Sequence, residues 1–250
     1  MCPRISVPVF STNENIALCR ASLYSETEMG RIARIIVPGH LHHVAQRGVR
    51  RMPVFFNDED RDLYTRLLRK FGLMHGLEFA AYSWMTNHVH LVAVPARHES
   101  LARGIGDSHK TYTRIINKRE NWKGYLWQGR FFSCPLEGAY LLDAIRYVEN
   151  NPVKAKIVKR AEDYPWSSAR THVYGADDDL LATRFMDIKA FGVRDWADFL
   201  AKQDDEEQEK KIAKHLRTGR PLGSDAFIEE LERLTGRVLK RKPPGPKPRG

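Results

Sequence analysis

The stretch Met85-Thr86-Asn87-His88-Val89-His90-Leu91-Val92-Ala93-Val94-Pro95 decides how the rest of the chain is read. Its alternation reads as a β-strand entered through a Thr86-Asn87 turn and stopped by Pro95, with His88 and His90 on one face and Val89 and Leu91 on the other. Two imidazoles at i and i+2 of a strand can hold one divalent ion from one side and leave positions free for a substrate oxygen. The alternative is a pair of half-exposed strand histidines bonded to their neighbours, because two ligands alone do not make a site.

Working outward, Leu77 to Trp84 reads as the other strand of a hairpin, with Tyr82 and Trp84 as core. Before it, Asp58 to Met74 places Leu63, Tyr64, Leu67, Leu68 and Phe71 at helical spacing behind an Asn57 N-cap. His40 to Arg47 looks like a first strand, followed by the basic turn Gly48-Val49-Arg50-Arg51. There Arg47, Arg50 and Arg51 either grip a phosphate or form a solvated charged turn. After the histidine strand, Ser100 to Lys118 reads as a second helix, on which Lys110, Arg114, Lys118 and Arg119 make a positive face. Gly124 to Phe132 interleaves aromatics with Arg130, as a single-stranded nucleic-acid platform requires, although Trp127 and Phe131 suit core packing equally well. A short strand follows at Phe132 to Leu136. The order strand, helix, strand, strand, helix, strand predicts an α+β fold, a ferredoxin-like antiparallel sheet with packed helices.

A further helix spans Gly138 to Asn150 and should stop near Asn151, because Pro152 disfavours helical geometry in the residue before it. Tyr147 and Asn151 are four apart and face the same side. Asn151 can lend a carbonyl oxygen as a third metal ligand with Tyr147 beside it as a nucleophile; otherwise they are a buried helix tyrosine and a C-terminal cap.

The formal charge of +10 favours a polyanionic partner, against the plainer reading of a soluble basic protein. A composition 42% hydrophobic and 10% aromatic describes a globular chain. Cys2, Cys19 and Cys134 show no ligand spacing, so reduced thiols are expected. No segment reaches the ~18 apolar residues of a membrane span, which predicts no membrane partner and a cytoplasmic, nucleoid-associated protein.

Four motifs occur in one order: Met85 to Leu91, Leu126-Trp127-Gln128-Gly129-Arg130-Phe131, Tyr147-Val148-Glu149-Asn150-Asn151-Pro152-Val153-Lys154-Ala155, and Tyr164-Pro165-Trp166-Ser167-Ser168. Together they resemble the REP-associated tyrosine transposases, relatives of the single-tyrosine HUH transposases of the smallest bacterial insertion sequences. The resemblance covers roughly Arg31 to Thr171 and again the tail from Thr218 to Gly250. It implies the HUH transposase fold, with His88 and His90 as the metal pair, Tyr147 as nucleophile and Asn151 as third ligand, where the related enzymes commonly carry Gln. It also implies a divalent cofactor, Mg2+ or Mn2+, and single-stranded or hairpin DNA as partner, for which the basic and aromatic patterning read above offers Arg47, Arg50, Arg51, Lys110, Arg114, Trp127 and Arg130 as the gripping residues. The expected organisation is a poorly ordered extension at 1–28, with Met29 an alternative start, then a catalytic domain at 29–175. A helical accessory DNA-binding region at 176–236 and a disordered basic arm at 237–250 complete it, as a monomer or homodimer. The charged run from Asp204 to Lys211 is expected as a solvated helix.

The chemistry agrees with the residues. A tyrosine of pKa about 10 is only about 0.1% ionised at pH 7, so its attack on a phosphodiester needs assistance from a bound cation. The family product is a 5′-phosphotyrosine enzyme and a free 3′-hydroxyl, so cleavage and rejoining of DNA need no nucleotide triphosphate. The competing readings are a non-catalytic DNA-binding repressor on the same fold and, further off, a metal-dependent hydrolase of small phosphoesters.

Overall fold

The computed structural model describes residues 33–202 and 206–240. The expected N-terminal extension, Cys2, Cys19 and the greater part of the basic arm lie outside the described residues.

Four strands, β1 (Leu41–Arg47), β2 (Leu77–Met85), β3 (His88–Pro95) and β4 (Phe132–Leu136), form one sheet in the order β2-β3-β1-β4. Every neighbouring pair is antiparallel, which is the ferredoxin-like arrangement. Helices α1 (Asp58–Met74) and α2 (Ser100–Arg119) cover one face. Asn57 caps α1 by accepting from the Asp60 N–H at 2.9 Å, and the buried Asp60 carboxylate pairs with Arg119 at the far end of α2. Arg119 therefore serves to join the two helices. Gly104 of α2 has no room for a side chain: a Cβ there would lie 2.5 Å from Leu77 Cδ1, so the helix lies close against β2.

Helix α3 (Leu141–Glu149) covers the opposite face with Ala144, Ile145, Tyr147 and Val148, packed against Ala45, Val92, Val94 and Cys134 of the sheet. Because β3 lies between two helical layers, all eight of its residues are buried, which explains its nearly continuous apolar reading. Helical bonding resumes in the short α4 (Asn151–Lys154), where Pro152 stands in the first turn and its fixed φ suits the helix.

The chain then covers both sheet edges. Trp84 N–H donates to Trp166 O at 2.8 Å and Ala182 N–H to Phe79 O at 2.9 Å beside β2, while Leu222 N–H donates to Pro135 O at 2.9 Å beside β4. Between these contacts run α5 (Ala169–Tyr174), α6 (Thr183–Met186), α7 (Trp196–Ala201) and α8 (Glu206–Thr218). Residues of the expected accessory region, among them Phe185, Trp196 and Leu200, join the cluster beneath α3. The described part of the charged run, 206–211, forms the outer turns of α8 with no buried residue, and the helix anchors itself just beyond the run by burying Ile212 and Leu216, four apart, in that cluster.

The last helix, α9 (Asp225–Thr235), is capped by Ser224 and ends at Gly236 in the left-handed region. Residues 237–240, expected as the start of the arm, are docked: Leu239 packs with Ile35, Val37, Phe227 and Leu231, and Arg237 donates to Arg34 O at 3.0 Å.

Candidate active site

Register builds the site. In the antiparallel ladder Arg47 pairs with His88 and Ala45 with His90, and paired residues share a face. That face is the one beneath α3. His90 is fully buried and His88 nearly so, in place of the half-exposed strand histidines of the plainer reading. Their ring centroids are 5.2 Å apart. His43, two residues before Ala45 on β1, joins them with its Nε2 3.1 Å from His90 Nδ1.

Tyr147 of α3 is 6% exposed and sets its ring edge-on against both His43 (centroids 5.3 Å apart) and His90 (5.8 Å). The tyrosine thus reaches the histidine strand of its own chain. Lys154 Nζ lies 4.9 Å from the Tyr147 ring centroid and pairs with Glu209 of α8. One turn on from Tyr147, the Asn151 amide donates to Tyr147 O at 2.8 Å and Val148 O at 3.3 Å. Pro152 has no N–H with which to serve the Val148 carbonyl, and the asparagine side chain takes its place. With Nδ2 so engaged, Asn151 Oδ1 is left without a hydrogen bond among the described residues.

The hydrogen bonds also set the protons. Asn87 Nδ2 donates to Arg51 O at 3.1 Å, so its Oδ1 is the atom 2.7 Å from His88 Nδ1. That nitrogen must carry the proton, leaving His88 Nε2 a lone pair. His90 Nε2 is buried with no hydrogen-bond partner among the described residues, as is His43 Nδ1. When His90 Nδ1 donates to His43 Nε2, His90 Nε2 also keeps its lone pair, the arrangement that suits a metal-binding imidazole and its supporting partner. Burial, reinforced by Arg47, holds His88 down to about 3. Burial alone does the same to His43, and burial with the neighbouring His88 and His43 puts His90 well below the usual histidine range. All three rings are neutral at physiological pH, as ligation requires.

Among the described residues no three His, Cys, Asp or Glu side chains form a ready cluster for a metal ion. The donor set that fits a hard divalent cation is two imidazole nitrogens and an amide oxygen, and the orphaned His90 Nε2 is the observation in its favour.

The nucleic-acid residues separate into groups. Arg47 lies on the histidine face, and Arg50 and Arg51 are exposed on the turn that follows β1. Arg130 is exposed near the start of β4. Lys110 and Arg114 are exposed on α2, on the other side of the sheet from the histidines, and do not share the site. Trp127 is corrected from stacking platform to core: it is buried and stacked on His109 with centroids 4.3 Å apart. Its neighbour Gly48, bridged to it, draws the indole under the β1 turn.

Three participants escaped the sequence reading. His43 required knowledge of the β1-β3 pairing, and Lys154 of how α4 turns past Tyr147. Glu149 is the third. Its fully buried carboxylate accepts from Ser168 Oγ at 2.5 Å, His172 Nδ1 at 2.6 Å and Trp196 Nε1 at 2.7 Å. It anchors the segment that bears Tyr147 and Asn151 to α5 and α7, and the Tyr-Pro-Trp-Ser-Ser motif supplies one of the donors. Among the described residues no helix is long and apolar enough to cross a membrane.

A family profile described as "Transposase IS200 like" matches residues 37–151. No curated protein matches the chain. Among solved structures, a REP-associated tyrosine transposase bound to a REP hairpin superposes with a TM-score of 0.51 at 18% identity, over 63% of this chain and 93% of that one. A Deinococcus radiodurans chain described as a transposase gives 0.33 at 17% identity, over 50% and 97%, too loose to bear on the fold. The first of these supports the fold alone.

Proposed function

We propose that this protein, whose residues 37–151 match the IS200-like transposase profile, cleaves and rejoins single-stranded DNA at REP-like hairpins through a 5′-phosphotyrosine on Tyr147. One observation carries the reading: a tyrosine ring 5.8 Å from the ring of His90, whose buried Nε2 has no protein partner among the described residues. A purely structural histidine would leave that nitrogen unsatisfied at a cost of about 1–3 kcal/mol. The solved relative's REP hairpin supports hairpin DNA as the substrate.

His88 Nε2, His90 Nε2 and Asn151 Oδ1 would hold a divalent cation, Mg2+ or Mn2+, which supplies Lewis-acid polarisation of the scissile phosphate. The protein's own groups do the rest. His43 accepts from His90 Nδ1 and Asn87 from His88 Nδ1, so both rings are fixed in tautomer and orientation. Tyr147 Oη attacks phosphorus in line; the tyrosyl O–P bond forms as the bond to the 3′-oxygen breaks. The phenolic proton leaves Oη, and a proton taken up by the departing 3′-oxygen gives the free hydroxyl. The Lys154 ammonium near the ring supports negative charge on oxygen during this exchange. Attack by a 3′-hydroxyl on the phosphotyrosine reverses the step and joins strands. The basic turn and Arg130 hold flanking phosphates.

A non-catalytic DNA-binding protein on the same fold is the second reading, favoured by the burial of the Tyr147 ring. Incubation of labelled hairpin DNA with the protein and Mn2+, followed by denaturing electrophoresis, separates the two. A covalent adduct with wild type but not with Tyr147→Phe supports the transferase; binding without any adduct supports the repressor.

A further inference from the structure

Beyond the start of β3, the basic turn and the segment after α2 enclose a groove of about 330 Å³, with Arg50, Met52, Asn117, Trp122, Lys123 and Tyr125 among its walls. No acidic residue lines it. Tyr125 is 88% exposed and Trp122 41%, an unusual pair of aromatic surfaces for a protein to leave open to water. Arg50 and Lys123 are exposed beside them, and neither has an acidic partner among the described residues.

The groove is built rather than incidental. Trp122 is held by its N–H to Asn117 O at 2.8 Å and by an edge-on contact with Phe56. Asn117 Nδ2 donates to Gly124 O at 2.9 Å, which leaves the Asn117 side-chain oxygen as an acceptor at the wall. Arg50, Arg51 and Asn121 all take positive φ without being glycine. Such conformations cost on the order of 1 kcal/mol or more each and cluster at ligand clamps.

The groove also adjoins the candidate site. Arg47, the partner of His88, accepts from Gln128 N–H, and Val49 N–H donates to Leu126 O. Asn87, which orients His88, is held by Arg51 O. A strand passing the histidines and leaving at this end of the sheet runs onto the groove.

We propose that this groove is a base-stacking subsite that takes an unpaired nucleobase from the DNA flanking the cleaved phosphate, its face on Trp122 and Tyr125 and its phosphates on Arg50 and Lys123. The inference rests on the single-strand DNA reading given above. Exposed aromatics interleaved with unpaired cations are the recognition chemistry of single strands, because every base offers a π-face and every linkage a charge.

The test uses the full chain and two fluorescent hairpins of one stem sequence, one blunt and one with unpaired flanks, read by anisotropy. Wild type should prefer the flanked hairpin. Tyr125→Ala and Trp122→Ala should each lose roughly tenfold of affinity for it, about 1.4 kcal/mol, with little change on the blunt one. Lys123→Ala should lower the salt dependence by about one unit. Tyr174→Ala removes another exposed aromatic, 60% exposed at the end of α5, and should bind both hairpins as wild type does. Equal binding of the flanked hairpin by wild type, Tyr125→Ala and Trp122→Ala overturns the subsite while leaving the enzymatic reading intact. Failure of wild type to bind either hairpin overturns both.

Discussion

Removing the Glu149 carboxylate should destabilise the fold more than any exposed change and should disable the candidate site with it. The carboxylate is fully buried and accepts from Ser168, Trp196 and His172. His172 Nε2 meets the Phe185 carbonyl at 2.9 Å, so both ring nitrogens face acceptors and only the doubly protonated ring satisfies both. Burial pushes the His172 pKa down, but the Glu149 charge and hydrogen bond, with the Phe185 carbonyl, outweigh it and raise it above the usual value. Glu149→Ala leaves a buried imidazolium and two buried donors without their acceptor, a cost of about 3–5 kcal/mol. At this chain length that corresponds to a melting temperature lower by on the order of 10 °C. Glu149→Gln keeps an acceptor and removes the charge, so its cost should be smaller and pH-dependent. A raised folded-state pKa means the ion-pair contribution is complete below the unfolded value of about 6.5 and is lost as pH rises through the folded value. The gap between wild type and Glu149→Gln should therefore be widest below about pH 6.5 and narrow as pH rises through the folded His172 value. Urea titrations at several pH values measure this. A Glu149→Ala cost below about 1 kcal/mol, or a gap that widens with pH, would refute the account.

Tyr147→Phe should fold with at most ~1–2 kcal/mol lost yet form no DNA adduct, whereas Tyr112→Phe, which loses a buried hydrogen bond to Val54 O, should keep the adduct; mass spectrometry of the trapped peptide decides. His88→Ala and His90→Ala should each abolish cleavage while hairpin affinity stays within about threefold, since binding is set by cations on the protein; cleavage at wild-type rate by the double variant in chelator would remove the metal role. His42 and His109 are held by burial to about 4 and about 3. The unfolded chain takes up these protons first, so stability should fall as pH drops below about 6.5, by up to about 1.4 kcal/mol per pH unit for each ring, and His109→Gln should flatten the slope. In salt titrations of hairpin binding, Arg51→Ala should lower the slope by about one unit, and Lys110→Ala, across the sheet from the histidines, should leave it unchanged.

Local patterning was enough for the elements that follow a strong period. Alternation at 88–94 puts two imidazoles on one face because the pleat enforces it, and the 3.6-residue repeat with Asn57 ahead of it delimits α1. The strand and helix order was likewise sufficient for the four-stranded antiparallel sheet, since few topologies connect those elements without crossing. Tertiary structure alone decided what each face meets. His43 reaches His90 through the pairing of Ala45 with His90, a register between strands more than 40 residues apart that no local window contains. Trp127 and Tyr125 are two residues apart with similar local surroundings, yet one is buried on His109 and the other lies open in the groove, because the Gly48 bridge reaches only the first. Glu149 reads as an ordinary helix carboxylate until the chain returns after 23 and 47 residues to bring His172 and Trp196 to it. Side-chain periodicity is a property of neighbours along the chain, whereas burial, protonation and partner are properties of whatever the fold brings across space.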